Sequence, residues 1–563
     1  MESRTQRFHY LFVVLSLLGL SSAILLVFYK PTPSGFWVNV YTYFALAWLL
    51  VGGVAVSGIL YTSHRSLSWS IVWMISVMLV FAAGSIALIW GVPWPNHDPW
   101  THLGIIKFGY LGPYLNPYPA FHVLVTVLAK STGLSSIHWI TVASVLFPTL
   151  ATGFVIALVR RLPVSPTTSQ PALFVLLPGI FLGFTPRPFT LAWIFVPIAF
   201  FLVFRLNKTH SKKYRDLTIG LVVISPVFHP QLTGFLIILL SGTWLTSRLQ
   251  ERLPVIEIIP ENPVAIHYGL ILIGGLIFVS YIIFYSTVGL ALIQGTIQAY
   301  LIQSGPKTLE QASTGSGPFA FLESPRAAQE ALIRLSYILL LGVIVAIGII
   351  RKLVQRRVSF EFVITWVVSA GIIFGFFTLF VFSSNLGIER ILRIIPLIAI
   401  PIVVLGLKQL PKQVMPIALA ILCLTAGLLT VYGSEFQGGA GISANNKQAA
   451  GAEWLSDYNN DRKIIGSSST YWMLKAYVPR QQLWDWRYRG QIPEDTRFRW
   501  QIRGKPTLYV TDGTTEARIE QIIEEEGQIQ YVTEYNRLSK VRDKIYTNDG
   551  LSVYQNGTND HAN

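Results

Sequence analysis

The chain has 563 residues, of which 52% are hydrophobic and 13% charged, and it carries a net charge of +15. Soluble domains average about a quarter charged residues, so an ordinary water-soluble globular fold is excluded. Nucleic-acid binding is excluded as the origin of the positive charge. Of the 43 Lys and Arg, 27 precede residue 433, against 11 of the 28 Asp and Glu, and they are spread between apolar runs with no clustered basic face.

Apolar runs recur up to residue 432. A helix of about 17–25 such residues crosses a hydrocarbon core of ~30 Å, and backbone groups in lipid must bond within the segment, which a helix achieves. The pattern predicts about thirteen transmembrane helices, near residues 10–29, 37–60, 69–90, 137–159, 172–185, 189–206, 216–228, 232–248, 265–290, 331–350, 359–383, 391–408 and 413–432. The first follows Arg4 and Arg7 as a signal peptide would. It is too long for a signal core and lacks a small-residue cleavage site, so it is read as a retained helix. Cys423, the single cysteine, sits in an apolar run, so no intrachain disulfide is expected.

Loop charge sets the orientation. Alternate loops hold Arg65, then Arg160 and Arg161, then Lys208, Lys212, Lys213 and Arg215, then Arg248 and Arg252, with further basic clusters after residues 350 and 407. The positive-inside rule puts these loops in the cytoplasm. The chain is then a multi-pass cell-membrane protein with a cytoplasmic N-terminus. Residues 118–130 become a surface or re-entrant segment, because a full span there would turn Arg160 and Arg161 outward. Residues 1–432 form the membrane domain, with outer loops at about 91–136 and 291–330, and residues 433–563 lie outside the cell.

That tail reads as a small α/β domain. An amphipathic helix starts near Ala449, Lys463–Gly466 and Thr507–Val510 read as buried strands, and Glu516–Glu526 reads as a second helix. Strands follow at Gln528–Thr533 and, after the turn Asn548-Asp549-Gly550, at Leu551–Tyr554. Trp484-Asp485-Trp486 is expected as a surface or interface element.

Candidate chemistry concentrates at the outer helix ends. The first outer loop reads Trp94-Pro95-Asn96-His97-Asp98-Pro99-Trp100-Thr101-His102 and returns through Tyr118-Pro119-Ala120-Phe121-His122. Asp98 and His102 are four apart and share a face if the segment is helical. Asp98-Pro99 is also a helix-start signature, so the carboxylate has both a capping and a catalytic reading. Arg187 stands in an outer hairpin, and Arg390 and Arg393 open the twelfth span. The planar guanidinium fork suits phosphate oxygens, although Arg187 could equally snorkel to the interface and Glu389 could pair with Arg393. His229, between Phe228 and Pro230, ends a short span and is read either as a packing residue or as part of the site. Glu310 lies in the second outer loop, which could close over a ligand. No two-His-plus-carboxylate spacing is present, so no metal residue is assigned and a divalent metal stays an open alternative. The sequon Asn556-Gly557-Thr558 falls outside. Neither a P-loop nor a dinucleotide fingerprint occurs, so no nucleotide-sugar or ATP site is expected.

Short spans, a long first outer loop with an Asp near its start, a Tyr-Pro-x-x-His return and an outer α/β tail together resemble the GT-C glycosyltransferases. Pro186-Arg187-Pro188, His229-Pro230 and Glu389-Arg390-x-x-Arg393 are further local points of likeness. The resemblance covers the whole architecture and is strongest to archaeal dolichyl-phosphate-mannose mannosyltransferases. It implies a polyprenyl- or dolichyl-phosphate sugar donor, a glycan or glycoprotein acceptor and a membrane-lipid setting, with no nucleic acid. By resemblance Asp98 is the general base. The substrate-binding residues are then expected among His97, His102, His122, Arg187, His229, Glu310, Arg390 and Arg393. The alternatives are an oligosaccharyltransferase or glycan ligase and a lipid-linked sugar transporter or flippase. The first is weakened because Ser467-Ser468-Ser469-Thr470-Tyr471-Trp472 stands where oligosaccharyltransferases carry Trp-Trp-Asp-Tyr-Gly, and Thr185-Pro186-Arg187-Pro188 stands where they carry an acidic pair.

Overall fold

The computed structural model describes residues 14, 18, 21, 68–89, 98–109, 118–162, 164–181, 188–209, 211–252, 257–259, 268–285, 337, 339–351, 354, 357–359, 363–365, 396–408, 446–458, 463–466, 474, 477, 483–485, 507–512, 542–547 and 551–556. The expected spans at 10–29, 37–60, 359–383 and 413–432 lie wholly or almost wholly outside these residues, as do the loop 291–330, Cys423, and the tail segments 516–526 and 528–533.

Ten helices can be followed from residue 69 to residue 284. They are α1 (Trp69–Ile89), α2 (Asp98–Lys107), α3 (Pro119–Thr132), α4 (Ser136–Val159), α5 (Pro166–Phe181), α6 (Pro188–Trp193), α7 (Phe195–Thr209), α8 (Lys212–Phe228), α9 (Pro230–Arg252) and α10 (Tyr268–Phe284). Among the described residues, Ser136–Val159 and the near-continuous Pro188–Thr209 are long and apolar enough to cross a membrane, and five further apolar helices are shorter. Proline marks several starts, since its missing N–H falls where a helix has no use for one: Pro119, Pro166, Pro188 and Pro230 each open a helix. Helix α3 closes on Gly133, whose φ of 74° lies in the left-handed region and whose N–H bonds the Ala129 carbonyl. Its 14 residues reach about 21 Å at 1.5 Å per residue, short of a full span. The expected span 172–185 is shifted, because α5 begins at Pro166.

The bundle is apolar on both sides. Helix α10 buries Leu270, Gly274 and Ile282, while Tyr268, Leu272, Leu276, Val279 and Ile283 are exposed along one stripe. A helix hydrophobic all round fits lipid on its outer face and is costly in water. In the core, α4 packs against α1, α5 and α7, and α9 against α8 and α10. Tyr337 is fully buried and donates its hydroxyl to the Val175 carbonyl of α5 at 3.1 Å.

The helices α8 and α9 pack as a hairpin hinged at His229. Helix α9 has 23 residues, about 34 Å, which separates the hinge from Arg248 and Arg252 at its far end. Just beyond, β1 (Glu257–Ile259) pairs in parallel with β2 (Arg357–Ser359).

Helix α11 (Ile400–Leu407) is buried on all its residues. The tail contributes α12 (Asn446–Tyr458) and a five-stranded mixed sheet of β3 (Lys463–Gly466), β4 (Leu483–Asp485), β5 (Thr507–Asp512), β6 (Arg542–Thr547) and β7 (Leu551–Asn556). The order is β4-β3-β5-β7-β6, with β3 parallel to both neighbours and β7 antiparallel to both of its own. Ala452 and Leu455 of α12 and Val553 of β7 are buried, and the helix packs on that strand. Two strands differ from the sequence reading. Trp484 and Asp485, expected as a surface or interface element with no strand assigned, form part of the edge strand β4. Strand β6 had no expectation because it opens Arg-Asp-Lys, charges that suit an exposed sheet edge.

Candidate active site

Helix α2 opens at Asp98, and Asp98 and His102 stand one turn apart on it. Trp100 and Leu103 face the core, while His102 is partly exposed. Helix α3 buries Phe121, His122 and Val125, one face at helical spacing. The two helices bring His102 Nδ1 to 2.9 Å from His122 Nε2.

The proton positions follow from the partners. His122 Nδ1 lies 3.1 Å from the Tyr118 carbonyl, which can only accept, so Nδ1 donates. Burial pushes the His122 imidazole down to about 2, the neighbouring His102 pushes in the same direction, and the Tyr118 bond opposes them only in part. A neutral His122 must then accept at Nε2, and His102 donates from Nδ1.

A third histidine joins from the α8–α9 hinge. His229 is buried in extended backbone between Phe228 and Pro230, and its Nδ1 accepts from the Gln231 N–H at 3.2 Å. It thus caps α9, which is the packing reading the sequence left open, and its Nε2 is left as the protonated nitrogen. The Tyr118 ring stacks on it at 4.4 Å and 12°, and Phe189 of α6 meets its ring edge-on at 5.6 Å. Tyr118 is thus the joint of the site. Its carbonyl holds His122 and its ring holds His229.

The tail reaches the same helix. The Tyr477 ring lies 6.1 Å from that of Trp100, and Lys107 Nζ sits 4.5 Å from the Tyr477 ring centre. Burial raises the Tyr477 phenol, so it stays neutral, and Ser456 of α12 donates to its carbonyl at 2.8 Å.

Of the sequence candidates, His102, His122 and His229 come together. Asp98 opens α2, and its side chain lies outside the described part. His97, Arg187, Glu310, Arg390 and Arg393 lie outside the described residues. Sequence reasoning did not single out Tyr118, although its Tyr-Pro start was visible, and it gave no signal for Phe189 or Tyr477. It also missed three polar atoms beside the histidines. Thr101 Oγ1, Gln231 Oε1 and Trp193 Nε1 are buried without a hydrogen-bond partner among the described residues. The Trp193 ring lies 5.4 Å from that of Phe189. Buried polar atoms of this kind cost free energy unless something bonds them. Both nitrogens of His122 are engaged, and among the described residues no group of three or more His, Cys, Asp or Glu is placed to hold a metal.

No protein-family model matches the chain, and no curated protein matches it. Among solved structures it is similar to the apo crystal structure of ArnT from Cupriavidus metallidurans. The identity is 12%, the match covers 87% of this chain and 98% of that one, and the TM-score is 0.46.

Proposed function

We propose that the chain is a membrane-embedded inverting glycosyltransferase. It moves a single sugar from a polyprenyl-phosphate carrier to a glycan acceptor at the outer membrane face. The observation that carries this reading is the convergence of His102, His122 and His229 at one end of an apolar bundle, where α2 opens at Asp98. Polar chemistry gathered at a helix-end boundary, with apolar helices below it, suits a substrate whose head is a sugar phosphate and whose tail is lipid. An exposed apolar stripe on α10 supports the lipid setting.

The acceptor hydroxyl attacks the anomeric carbon, its proton passes to a base, and the carrier phosphate leaves from the opposite face. Asp98 is the base on this reading, a contribution of roughly 10²–10⁴-fold. Donors and cations must meet the charge that develops on the leaving phosphate. Arg187, Arg390 and Arg393 are proposed for that task, with His97 and Glu310 at the rim. A dolichyl-phosphate mannose donor and a protein-linked glycan acceptor are the most specific form of the proposal. The tail from residue 433 and this face of the bundle would both lie outside the cell.

Purified protein given a polyprenyl-phosphate sugar and an acceptor glycan tests the proposal. Transfer of one hexose is the expected product, with the matching mass missing from the glycans of a deletion strain. Loss of whole glycans from that strain would point to an oligosaccharyltransferase. No change in any glycan would remove the reading.

A further inference from the structure

Helix α10 separates a lipid side from a bundle side. Leu272, Leu276, Val279 and Ile283 are exposed on one stripe, whereas Gly274, Phe278, Tyr281 and Tyr285 follow at helical spacing on the opposite one. A Cβ on Gly274 would meet Val222 of α8 and Ile237 of α9, each at 3.3 Å, so this second stripe lies against the α8–α9 hairpin. Trp244 of α9 meets Tyr268 at 6.3 Å between ring centres, so α10 runs antiparallel to α9 and climbs toward the His229 hinge. Residues 222 to 229 and residues 274 to 281 each cover about 10 Å of that climb at 1.5 Å per residue. Tyr281 therefore stands level with His229, and Tyr285 stands about 6 Å beyond it.

The two tyrosine rings stack, 4.9 Å between centres with 29° between planes, and the Tyr285 N–H donates to the Tyr281 carbonyl at 3.0 Å, which keeps the second ring on the helix line. The Tyr281 phenol is within electrostatic reach of Tyr118, whose own ring lies on His229. Two aromatic stacks thus stand side by side at the hinge end of the bundle. Both tyrosines are half-exposed although their stripe faces the bundle. Tyrosines of a membrane-interface belt point toward lipid. On α10 that direction belongs to Ile283 and to Phe284, which is 84% exposed. Anchoring in the interface therefore does not account for the inward placement of this pair.

We propose that the Tyr281–Tyr285 stack is a carbohydrate platform, on which a pyranose ring of the acceptor glycan rests beside the Tyr118–His229 stack. The proposal rests on the glycosyltransferase reading above. The face of an aromatic ring is electron-rich. The C–H bonds on one side of a pyranose make an apolar, slightly positive surface that complements it. The Tyr285 hydroxyl is both donor and acceptor and suits the hydroxyls at the edge of the same sugar. Helix α10 carries no charged side chain, so it offers nothing to a carrier phosphate. A lipid tail finds the aliphatic stripe on the other side of the helix. Tyr285, the ring beyond the hinge, is the one that a glycan arriving from water meets first, and Tyr281 leads it toward His229.

The test uses full-length purified protein and the methyl pyranosides of mannose, glucose, galactose and N-acetylglucosamine as probes. Saturation of the aromatic protons should pass to the ring C–H protons of at least one probe in saturation-transfer NMR. Tyr285→Leu and Tyr281→Leu should each weaken that probe's binding by roughly 2- to 10-fold, the worth of one stacked ring. Tyr285→Phe keeps the ring and should retain most of the binding. Melting temperatures separate misfolding from lost contact, and Tyr285, at the rim, carries the test with its Phe rescue if Tyr281→Leu is unstable. In the transfer assay, Tyr285→Leu should raise KM for the acceptor glycan more than it lowers kcat, and leave KM for the lipid-phosphate sugar unchanged. Absence of saturation transfer to every probe in wild type, or equal binding in wild type and both Leu variants, would overturn the platform. Either result beside normal sugar transfer would leave the glycosyltransferase reading standing. A raised KM for the lipid donor alone would overturn the assignment to the acceptor. Probe binding that depends on both rings, beside failure of wild type with every lipid-phosphate sugar, would keep the carbohydrate platform and remove the glycosyltransferase reading.

Discussion

The Tyr118 ring lies flat on the His229 imidazole, 4.4 Å centre to centre with 12° between the planes. This contact joins the return of the first long loop to the hinge of the α8–α9 hairpin. Stacked rings contribute about 0.5–1.5 kcal/mol beyond their buried area. A double-mutant cycle of Tyr118→Leu and His229→Leu, read by thermal unfolding in detergent, should therefore give a coupling energy in that range. Additive losses would show that loop and hinge are held independently.

Asp98 separates capping from catalysis. Asn caps a helix about as well as Asp but cannot take a proton. Asp98→Asn should insert and accumulate normally while transfer falls by roughly 10²-fold or more, and Asp98→Ala should add little further loss. Full turnover in Asp98→Asn, with loss only in Asp98→Ala, would leave this residue as a cap.

His122 makes the fold acid-sensitive. Its native value, held down to about 2 by burial, is below the ordinary 6.5, so the unfolded chain binds the proton that the native chain refuses. Linkage then gives full stability above about pH 6.5 and a loss as pH falls from there toward 2. Melting temperatures measured between pH 7 and pH 4 should drop less steeply in His122→Phe than in wild type. Parallel slopes would mean that His122 does not set the acid dependence.

Gly348 and Gly406 mark a close helix crossing. A Cβ on Gly348 would come within 2.8 Å of the Gly406 Cα, and one on Gly406 within 2.8 Å of the Ile344 carbonyl oxygen. Both obstacles are backbone and cannot rotate away. Gly348→Ala and Gly406→Ala should each destabilise by about 1–3 kcal/mol. Gly342→Ala, on the same helix with nothing within 4 Å, serves as the control, and equal stability of Gly348→Ala and Gly342→Ala would contradict the crossing.

Tyr477 ties the tail to α2. Trp100→Leu and Tyr477→Leu should show a coupling energy of about 0.5–1.5 kcal/mol, and Lys107→Gln should weaken the contact by about 0.5–1 kcal/mol. Limited proteolysis offers a second readout. Faster cleavage between bundle and tail is expected in Tyr477→Leu, and an unchanged rate would mean the tail is held elsewhere.

Helix positions were legible before any tertiary structure. Hydrophobicity over 20 residues is a local property, and it located α1, α4, α8, α9 and the start of α10 to within about four residues, while it read α6 and α7 as one span. Proline and the alternation of apolar residues did the same for α3 and for β3, β5 and β7. The edge strands β4 and β6 were less legible, since a strand with one free side needs less apolar pattern. The site divides in the same way. His102, His122 and His229 could be nominated as polar residues at helix ends, because polarity next to lipid is visible in one dimension. Which of them touch is a matter of how α2, α3 and the α8–α9 hinge pack. The proton order along Tyr118, His122 and His102 depends on two distances between residues on different turns and different helices. The tie between Tyr477 and Trp100 spans a separation at which sequence pattern carries no information, and only the folded chain decides it.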